Sequence, residues 1–419
     1  MSQYDLVVVG GGPAGMAAAL KAEECCVKKI VILERAETLG GILEQCIHTG
    51  FGLQYFKEEL SGPEYAGRFI ELVEKSTVEV KTDTMVLDIS EDKIVTAVNK
   101  TDGLLQIKAT AVVLAMGCRE RPRGALPALV GTRPSGVMTA GTAQKYVNID
   151  GYMPGKKIVI LGSGDIGLIM ARRMTLEGAE VKMVCEIMPY SGGLTRNIVQ
   201  CLNDFDIPLY LSTTVVATHG KERLEGVTIA KVDEKMNPIP GTEQYVECDT
   251  LMLSVGLIPE NELTTGAGIP LDPVTRGATV NEKRETARSG IFACGNVLQV
   301  HDLVDFVTLE AQIAGEGAAE YILGGGFGAA QYIETTKGFG VRYIVPQKIN
   351  FNSKKPIDLY FRVGAVYPNA KVVLEIDGNV ISSKKKIKLA PGEMECVTIP
   401  ADVLSGMNAD SNVTVRVEV

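Results

Sequence analysis

The feature that most constrains this chain is a pattern that occurs twice: an apolar run, a G-x-G-x-x-G turn, a helix-forming stretch, and a second apolar run ending at glutamate. In the first copy Leu6 to Val9 reads as a buried parallel strand, Gly10, Gly12 and Gly15 carry the turn, Pro13 to Lys21 opens an Ala-rich helix, and Ile30 to Leu33 ends at Glu34. In the second, Ile158 to Leu161 precedes Gly162, Gly164 and Gly167, a helix runs through Arg172 and Leu176, and Val181 to Val184 leads to Glu186. Each glutamate lies 19 residues beyond the last glycine. The geometry behind the pattern is that of a βαβ unit binding a dinucleotide. The first glycine permits the tight turn, the second lets the backbone approach a pyrophosphate, and the third lets helix and strand pack closely. Helix N–H groups and the helix dipole face the anion, and a carboxylate at the end of the second strand accepts from ribose hydroxyls. One such motif is weak evidence; two complete copies in one chain predict two dinucleotide sites.

Other segments order themselves around these units. Val78 to Ser90 and Ile94 to Ala111 alternate like antiparallel strands, and the apolar run Ala111 to Ala115 stops at Met116-Gly117. Thr250 to Val255 repeats that run and stops at Gly256, so each unit closes with a strand that ends in glycine. Ile291 to Ala293 is a short strand before Cys294-Gly295-Asn296, and Val307 to Leu323 reads as an Ala-rich amphipathic helix that returns the chain to its first domain. Gly324-Gly325-Gly326 reads as a hinge. Beyond about Gly340, Ile357 to Val363, Lys371 to Ile376, Lys385 to Leu389, Cys396 to Ile399 and Asn412 to Val419 alternate polar and apolar, with Asp377-Gly378 and Pro391-Gly392 as turn signals. The expected fold class is therefore α/β, with two Rossmann-like domains and a small C-terminal all-β domain. The expected division is residues 1–120 and 257–335 for the first nucleotide domain, 121–256 for the second, inserted into it, and 336–419 for the β domain. At 419 residues the chain is long enough for several cores.

Charge and cysteine usage exclude some functions. A formal net charge of −9 argues against a nucleic-acid surface, which needs a basic face. The run Lys384-Lys385-Lys386, with Lys388, reads as a solvated strand edge. Nine scattered Cys residues, with no signal-peptide pattern before them, point to a reducing cytoplasm. No stretch is apolar over the length a membrane span needs. No metal site is expected, and neither CxxC nor C-x4-C occurs, so the chain has no closely spaced cysteine pair of the usual redox kind.

With these pieces in order, the chain resembles the pyridine nucleotide-disulfide oxidoreductase superfamily, whose glutathione-reductase-like fold inserts an NAD domain into an FAD domain. The resemblance rests on Gly10 to Gly15, Ala115-Met116-Gly117 in place of an A-T-G strand end, Gly162 to Gly167, Ser254 to Pro259, and Ala293-Cys294-Gly295-Asn296 in place of A-x-G-D. It implies FAD at the first fingerprint, contacted by Gly10, Gly12, Pro13, Ala14, Gly15, Glu34, Arg35, Gly41, Ala115, Gly117, Gly295, Asn296 and Thr308. It implies NAD(H) at the second, contacted by Gly162, Gly164, Asp165, Ile166, Gly167, Glu186 and Gly256. Glu186 would repel a 2′-phosphate and is followed by Ile187-Met188-Pro189 rather than a cation, which favours NAD(H) over NADP(H). Asn296 departs from the family's Asp, keeping hydrogen bonding but losing a charge.

The segments Gly40 to Leu53 and Gly295 to Asp305 further resemble FAD/NAD subunits of multi-subunit dehydrogenases, such as those of sarcosine oxidase, hydrogen cyanide synthase, dye-linked proline dehydrogenase and anaerobic-type glycerol-3-phosphate dehydrogenase. That resemblance implies an electron-transfer subunit. Its partner dehydrogenase would carry its own flavin, handle glycerol 3-phosphate or an amino acid, and hold any Fe–S centre that takes part, since no cluster spacing occurs here. A helix beginning near Val307 would point its first-turn N–H groups, those of Thr308 and Leu309, at the flavin pyrimidine edge. Cys46 and His48 are the catalytic candidates, because the turn before them passes close to flavin in this superfamily. The first alternative is thus a self-contained NADH oxidase or peroxidase using Cys46 as a single redox thiol; the second is a flavin-bound assembly scaffold without NAD turnover. His301 with Asp302 reads either as an oriented imidazole near the flavin or as part of a helix cap.

Overall fold

The run Leu6-Val7-Val8-Val9 offers solvent no polar side chain on either face, and it lies fully buried at the centre of a sheet covered on both sides. In the computed structural model, which describes residues 2–328 and 331–419, this run completes β1 (Ser2–Val9) and passes through the glycine turn into α1 (Pro13–Glu24) and β2 (Ile30–Leu33). Next come α2 (Gly62–Glu74), opened by a Ser61/Glu64 capping box, then β3 (Glu79–Lys81), β4 (Met85–Ile89), β5 (Ile94–Asn99) and β6 (Gly103–Leu114). The sheet order is β3-β2-β1-β6-β5-β4. β1 pairs in parallel with β2 and β6, while β4, β5 and β6 form an antiparallel meander.

Arg119–Ile258 is a unit of its own. Its parallel sheet is built from β7 (Val137–Thr139), β8 (Lys157–Leu161), β9 (Glu180–Cys185) and β10 (Leu209–Tyr210), with α3 (Asp165–Leu176) between β8 and β9. A second sheet of β11 (Thr213–His219), β12 (Gly226–Lys231) and β13 (Gln244–Glu247), edged by Val130–Gly131, intervenes before β14 (Thr250–Leu253). β14 then inserts beside β8, giving the order β7-β14-β8-β9-β10. Pattern reading did not anticipate that second sheet.

The first unit resumes at Pro259. β15 (Ile291–Ala293) joins β6 as the seventh strand of its sheet. α4 (Val304–Gly324) packs on α1 through small residues: a Cβ on Gly315 would lie 2.3 Å from the Ala18 carbonyl oxygen. The helix starts three residues before the expected Val307. It ends in a left-handed Gly325, so the first of the expected hinge glycines is its last residue and the second its cap.

The C-terminal region is all β apart from one short helical turn, Ala401–Leu404. Its strands are β16 (Tyr332–Lys337), β17 (Val341–Val345), β18 (Lys348–Asn350), β19 (Ile357–Val363), β20 (Tyr367–Ile376), β21 (Asn379–Leu389), β22 (Glu395–Ile399) and β23 (Val413–Glu418). They form a five-stranded sheet, β18-β16-β23-β20-β21, and a three-stranded sheet, β17-β19-β22. Leu359, Phe361, Leu374 and Val415 belong to one buried cluster drawn from both sheets. Asp377 and Gly378 close the β20–β21 hairpin with φ of 51° and 77°, the paired positive angles a tight hairpin needs. Pro391-Gly392 also forms a turn, one that carries the chain from one sheet to the other, because β21 pairs with β20 and β22 with β19. β21 is an edge strand on which Lys384, Lys385 and Lys388 are exposed. Tyr343 and Val345 pack into the same cluster as Val112, Ile291 and Leu298, which makes the β region part of the first unit.

Candidate functional site

The two glycine turns fold alike. Gly10 and Gly162 have φ of 104° and 103°, a left-handed backbone that glycine adopts without steric cost, and a Cβ would come within 2.5 Å of the Ala115 and 2.0 Å of the Ser254 carbonyl oxygen. Gly15 and Gly167 are constrained by their own turns, where a Cβ would lie 1.8 Å and 2.4 Å from the carbonyl oxygens of Gly10 and Gly162. The middle glycines are under no such constraint. Gly12 and Gly164 have ordinary φ of −76° and −68°. A Cβ on Gly12 would meet only the Gly41 Cα, at 4.0 Å, and one on Gly164 would meet nothing within 4 Å. The open space over these two residues fits a pyrophosphate. Each is also a helix N-cap without a side-chain capping bond, which suits an anion seated on the first turn.

The two carboxylates are set by these turns. Glu34 accepts from the Gly11 N–H at 2.6 Å on one oxygen and from the Ala36 N–H at 2.7 Å on the other. Glu186 accepts from the Ser163 N–H and hydroxyl at 2.9 and 2.7 Å, and from the Met188 N–H at 2.9 Å. Both are buried, and an ionised carboxylate keeps further lone pairs for ribose hydroxyls. At the second turn the Asp165 carboxylate accepts from Leu194 N–H at 2.8 Å and Asn197 Nδ2 at 2.6 Å, which ties the 191–197 segment to α3. Ile166 packs into the core of its unit. Gly256 is left-handed, with open space where a Cβ would be.

Around the first turn the structure gathers several expected residues. A Cβ on Gly41 would be 3.1 Å from the Gly12 Cα, and one on Gly295 would be 2.8 Å from the Ala14 Cβ. Ala115 and Gly117 follow β6, with the Ala115 carbonyl beside Gly10, and Arg35 is exposed next to Glu34. The Asn296 side-chain oxygen accepts from the His301 N–H at 3.0 Å, and its Nδ2 lies 3.6 Å from Cys118 Sγ.

Three expectations are corrected. Because α4 begins at Val304, Thr308 lies inside the helix, and its hydroxyl is bonded to the Tyr65 hydroxyl at 2.7 Å; the first-turn N–H groups belong to Val304, Asp305 and Phe306. The Cys46 thiol donates to the Ile42 carbonyl at 3.3 Å and is pushed up to about 12 by burial. A thiol so shielded is protonated at neutral pH, the opposite of an activated redox thiolate. His48 packs on Phe51, ring centroids 5.0 Å apart. His301 is no helix cap, since the N-cap is Leu303 without a side-chain bond; its imidazole is fully buried, and burial pulls its pKa down.

Sequence reading missed what surrounds His301. Glu310, fully buried on α4, accepts from the Gly295 N–H at 3.0 Å, Gln299 Nε2 at 2.7 Å and Arg284 Nε at 3.3 Å. The His301 Nε2 is 3.4 Å from Glu310 Oε2, too poorly aligned to count as a hydrogen bond. Asp305, also buried, accepts from the N–H groups of Gly52, Gln54 and Tyr55 at 2.7 to 3.1 Å. These pairings span up to 253 residues and carry no local signal; Asp at the second position of a helix was the only hint. Among the described residues no group of three or more His, Cys, Asp or Glu could hold a metal, and no helix is long and apolar enough to cross a membrane.

Residues 4–315 match the pyridine nucleotide-disulphide oxidoreductase family. An opine oxidase subunit of Agrobacterium tumefaciens is 25% identical over 316 residues, 70% of this chain and 61% of that protein. The HcnB subunit of hydrogen cyanide synthase from Pseudomonas protegens is 26% identical, covering 63% of this chain and 58% of that protein. The chain thus spans about three fifths of the length of these relatives. Among solved structures, thioredoxin reductase of T. acidophilum superposes with a TM-score of 0.63 at 21% identity, covering 77% of this chain and 100% of that one, which shows the shared fold.

Proposed function

Because the chain belongs to the pyridine nucleotide-disulphide oxidoreductase family, whose members use FAD and NAD(P)H, we propose that it is an FAD-dependent, NAD(H)-linked oxidoreductase that exchanges electrons with a partner protein rather than with a dithiol of its own. The observation that carries this reading is the pair of like cradles, each with an open middle glycine and a buried carboxylate held by its own turn. Bound FAD supplies the two-electron chemistry, accepting a hydride equivalent from nicotinamide or returning it. In the first cradle Gly12, Pro13, Ala14 and Gly15 would seat the pyrophosphate and Glu34 the ribose, with Arg35 at the adenosine end. Gly41, Ala115, Gly117, Gly295 and Asn296 would close around the rest. In the second, Gly162, Gly164, Asp165, Ile166 and Gly167 would do the same for NAD(H), with Glu186 on the ribose and Gly256 beside it.

The electron-transfer role is supported by the relatives named as subunits, HcnB and its opine oxidase counterpart, and by the missing CxxC. A partner with its own flavin, and its own Fe–S centre if one takes part, would oxidise glycerol 3-phosphate or an amino acid. The raised pKa of the half-buried Cys46, which comes from desolvation, speaks against the single-cysteine oxidase. The test is anaerobic titration of the purified chain with NADH, followed through the flavin's visible absorption, and then admission of air. Stoichiometric bleaching with slow reoxidation is expected. No bleaching would leave the scaffold reading in place, and fast reoxidation would restore the oxidase.

A further inference from the structure

Residues 298–303 join the turn carrying Gly295 and Asn296 to the amino end of α4, and the C-terminal β region holds this segment. Arg362 of β19 donates from one Nη to the Val300 carbonyl at 3.0 Å and from the other to the Pro391 carbonyl at 3.1 Å. The first Nη also lies 3.6 Å from Asp302 Oδ1. Asp302 Oδ2 in turn accepts from the Met394 N–H at 3.2 Å. Both side chains are largely buried, 14% and 10% exposed, so water competes little for these contacts. From the opposite side Glu310 holds Gly295 and Gln299, and the His301 N–H holds Asn296. The segment is thus pinned between α4 and a β region that lies wholly beyond the family match, which stops at residue 315.

We propose that the C-terminal β region is a clamp that positions the flavin-facing turn Gly295–Asn296 and the start of α4, with Arg362 as its positioning residue. The proposal rests on the reading that the first cradle holds FAD. A guanidinium suits the task because its planar fork fixes donors in set directions, so one side chain ties a carbonyl and a carboxylate of the 298–303 segment to the Pro391 carbonyl. Alanine there leaves Asp302 without its cation and removes the bond to the Val300 carbonyl, so that of these outer contacts the 298–303 segment keeps the one from Asp302 to the Met394 N–H. FAD must then order that segment as it binds, a cost set against affinity.

The full-length chain is compared as wild type, Arg362→Ala, Arg362→Lys and Asp302→Asn. Titration of each apoprotein with FAD is expected to show binding about tenfold weaker for Arg362→Ala, with Arg362→Lys in between. With FAD saturating, the visible circular dichroism of the flavin and the ratio of affinities for oxidised and reduced FAD should also move. A purely structural role would lower the thermal midpoint and leave both saturated readouts at wild-type values, and that result overturns the clamp. Should Arg362→Ala not fold, Asp302→Asn carries the same test, since it keeps the shape and removes the charge. If the wild type binds no FAD, the cofactor reading fails and the clamp with it; if it binds FAD and every variant stays within about twofold, the clamp alone fails.

Discussion

The substitution Gly164→Ala separates what the second turn does for the fold from what it does for a ligand. A methyl there meets no atom within 4 Å, and φ is −68°, which any residue adopts. Two effects on stability nearly cancel: a stiffer unfolded chain favours alanine by about 0.4 to 1 kcal/mol, and alanine as N-cap is disfavoured relative to glycine by a similar amount. The net change stays within about 1 kcal/mol, under about 3 °C in melting temperature for a chain of this size. For a dinucleotide the same methyl stands in the path of the pyrophosphate. Losing one hydrogen bond to a charged group costs about 1.5 to 3 kcal/mol, so the NADH dissociation constant should rise by about 10- to 150-fold. The contrast is Gly167→Ala, whose Cβ would come 2.4 Å from the Gly162 carbonyl oxygen and must disturb the turn itself. Calorimetric NADH titration and thermal melts of the ligand-free proteins give both quantities. Unchanged NADH binding by a fully folded Gly164→Ala protein would refute the reasoning, as would a melting temperature that falls as far as that of Gly167→Ala.

With both oxygens of Glu186 oriented by backbone N–H groups and no cation in Ile187-Met188-Pro189, NADPH should bind more than about tenfold weaker than NADH; equal affinities in parallel titrations would remove Glu186 from that role. At pH 8 a thiol held at about 12 is ionised to roughly one part in ten thousand. Timed alkylation with peptide mass spectrometry should therefore modify exposed Cys26 at least about a hundredfold faster than Cys46, and comparable rates would reopen the redox-thiol reading. His301 titrates low because it is buried; Arg362 and Arg284 act in the same sense, while Glu310 and Asp302 oppose. Between the ordinary histidine value near 6.5 and the depressed folded one, the unfolded chain binds more protons, so stability present above about 6.5 is lost as pH falls through that window. Unfolding midpoints from pH 8 to 5 should fall more steeply for wild type than for His301→Gln, and parallel profiles would contradict this.

Elements whose instructions are local were legible from the sequence. The glycine turns were, because an apolar strand, three spaced glycines and a carboxylate leave a dinucleotide cradle as their common solution. The β20–β21 hairpin was also legible, since Asp-Gly supplies the two positive φ angles. The start of α4 was misplaced because no capping side chain marks it; its first-turn acid, Asp305, is turned to backbone N–H groups of residues 52–55. α2 does carry a local signal, the S-x-x-E box at Ser61 and Glu64, which was overlooked. The sheet of β11 to β13 lacked a strong period, and pairing rather than pattern defines it.

By itself, then, the sequence determined that two glycine turns of the dinucleotide-binding type exist, that a glutamate follows each at the same spacing, and that neither CxxC nor C-x4-C accompanies them, because those features depend on residues close together in the chain. Only the tertiary structure decided that Cys46 is half-buried and its thiol pushed up by desolvation, that His301 is buried beside Glu310 and Arg284, and that Arg362 reaches the segment after Asn296. Burial and long-range charge pairing are properties of the packed chain: partners 11 to 62 residues apart meet only once the chain has folded, and no local pattern records which side chains will lose water together.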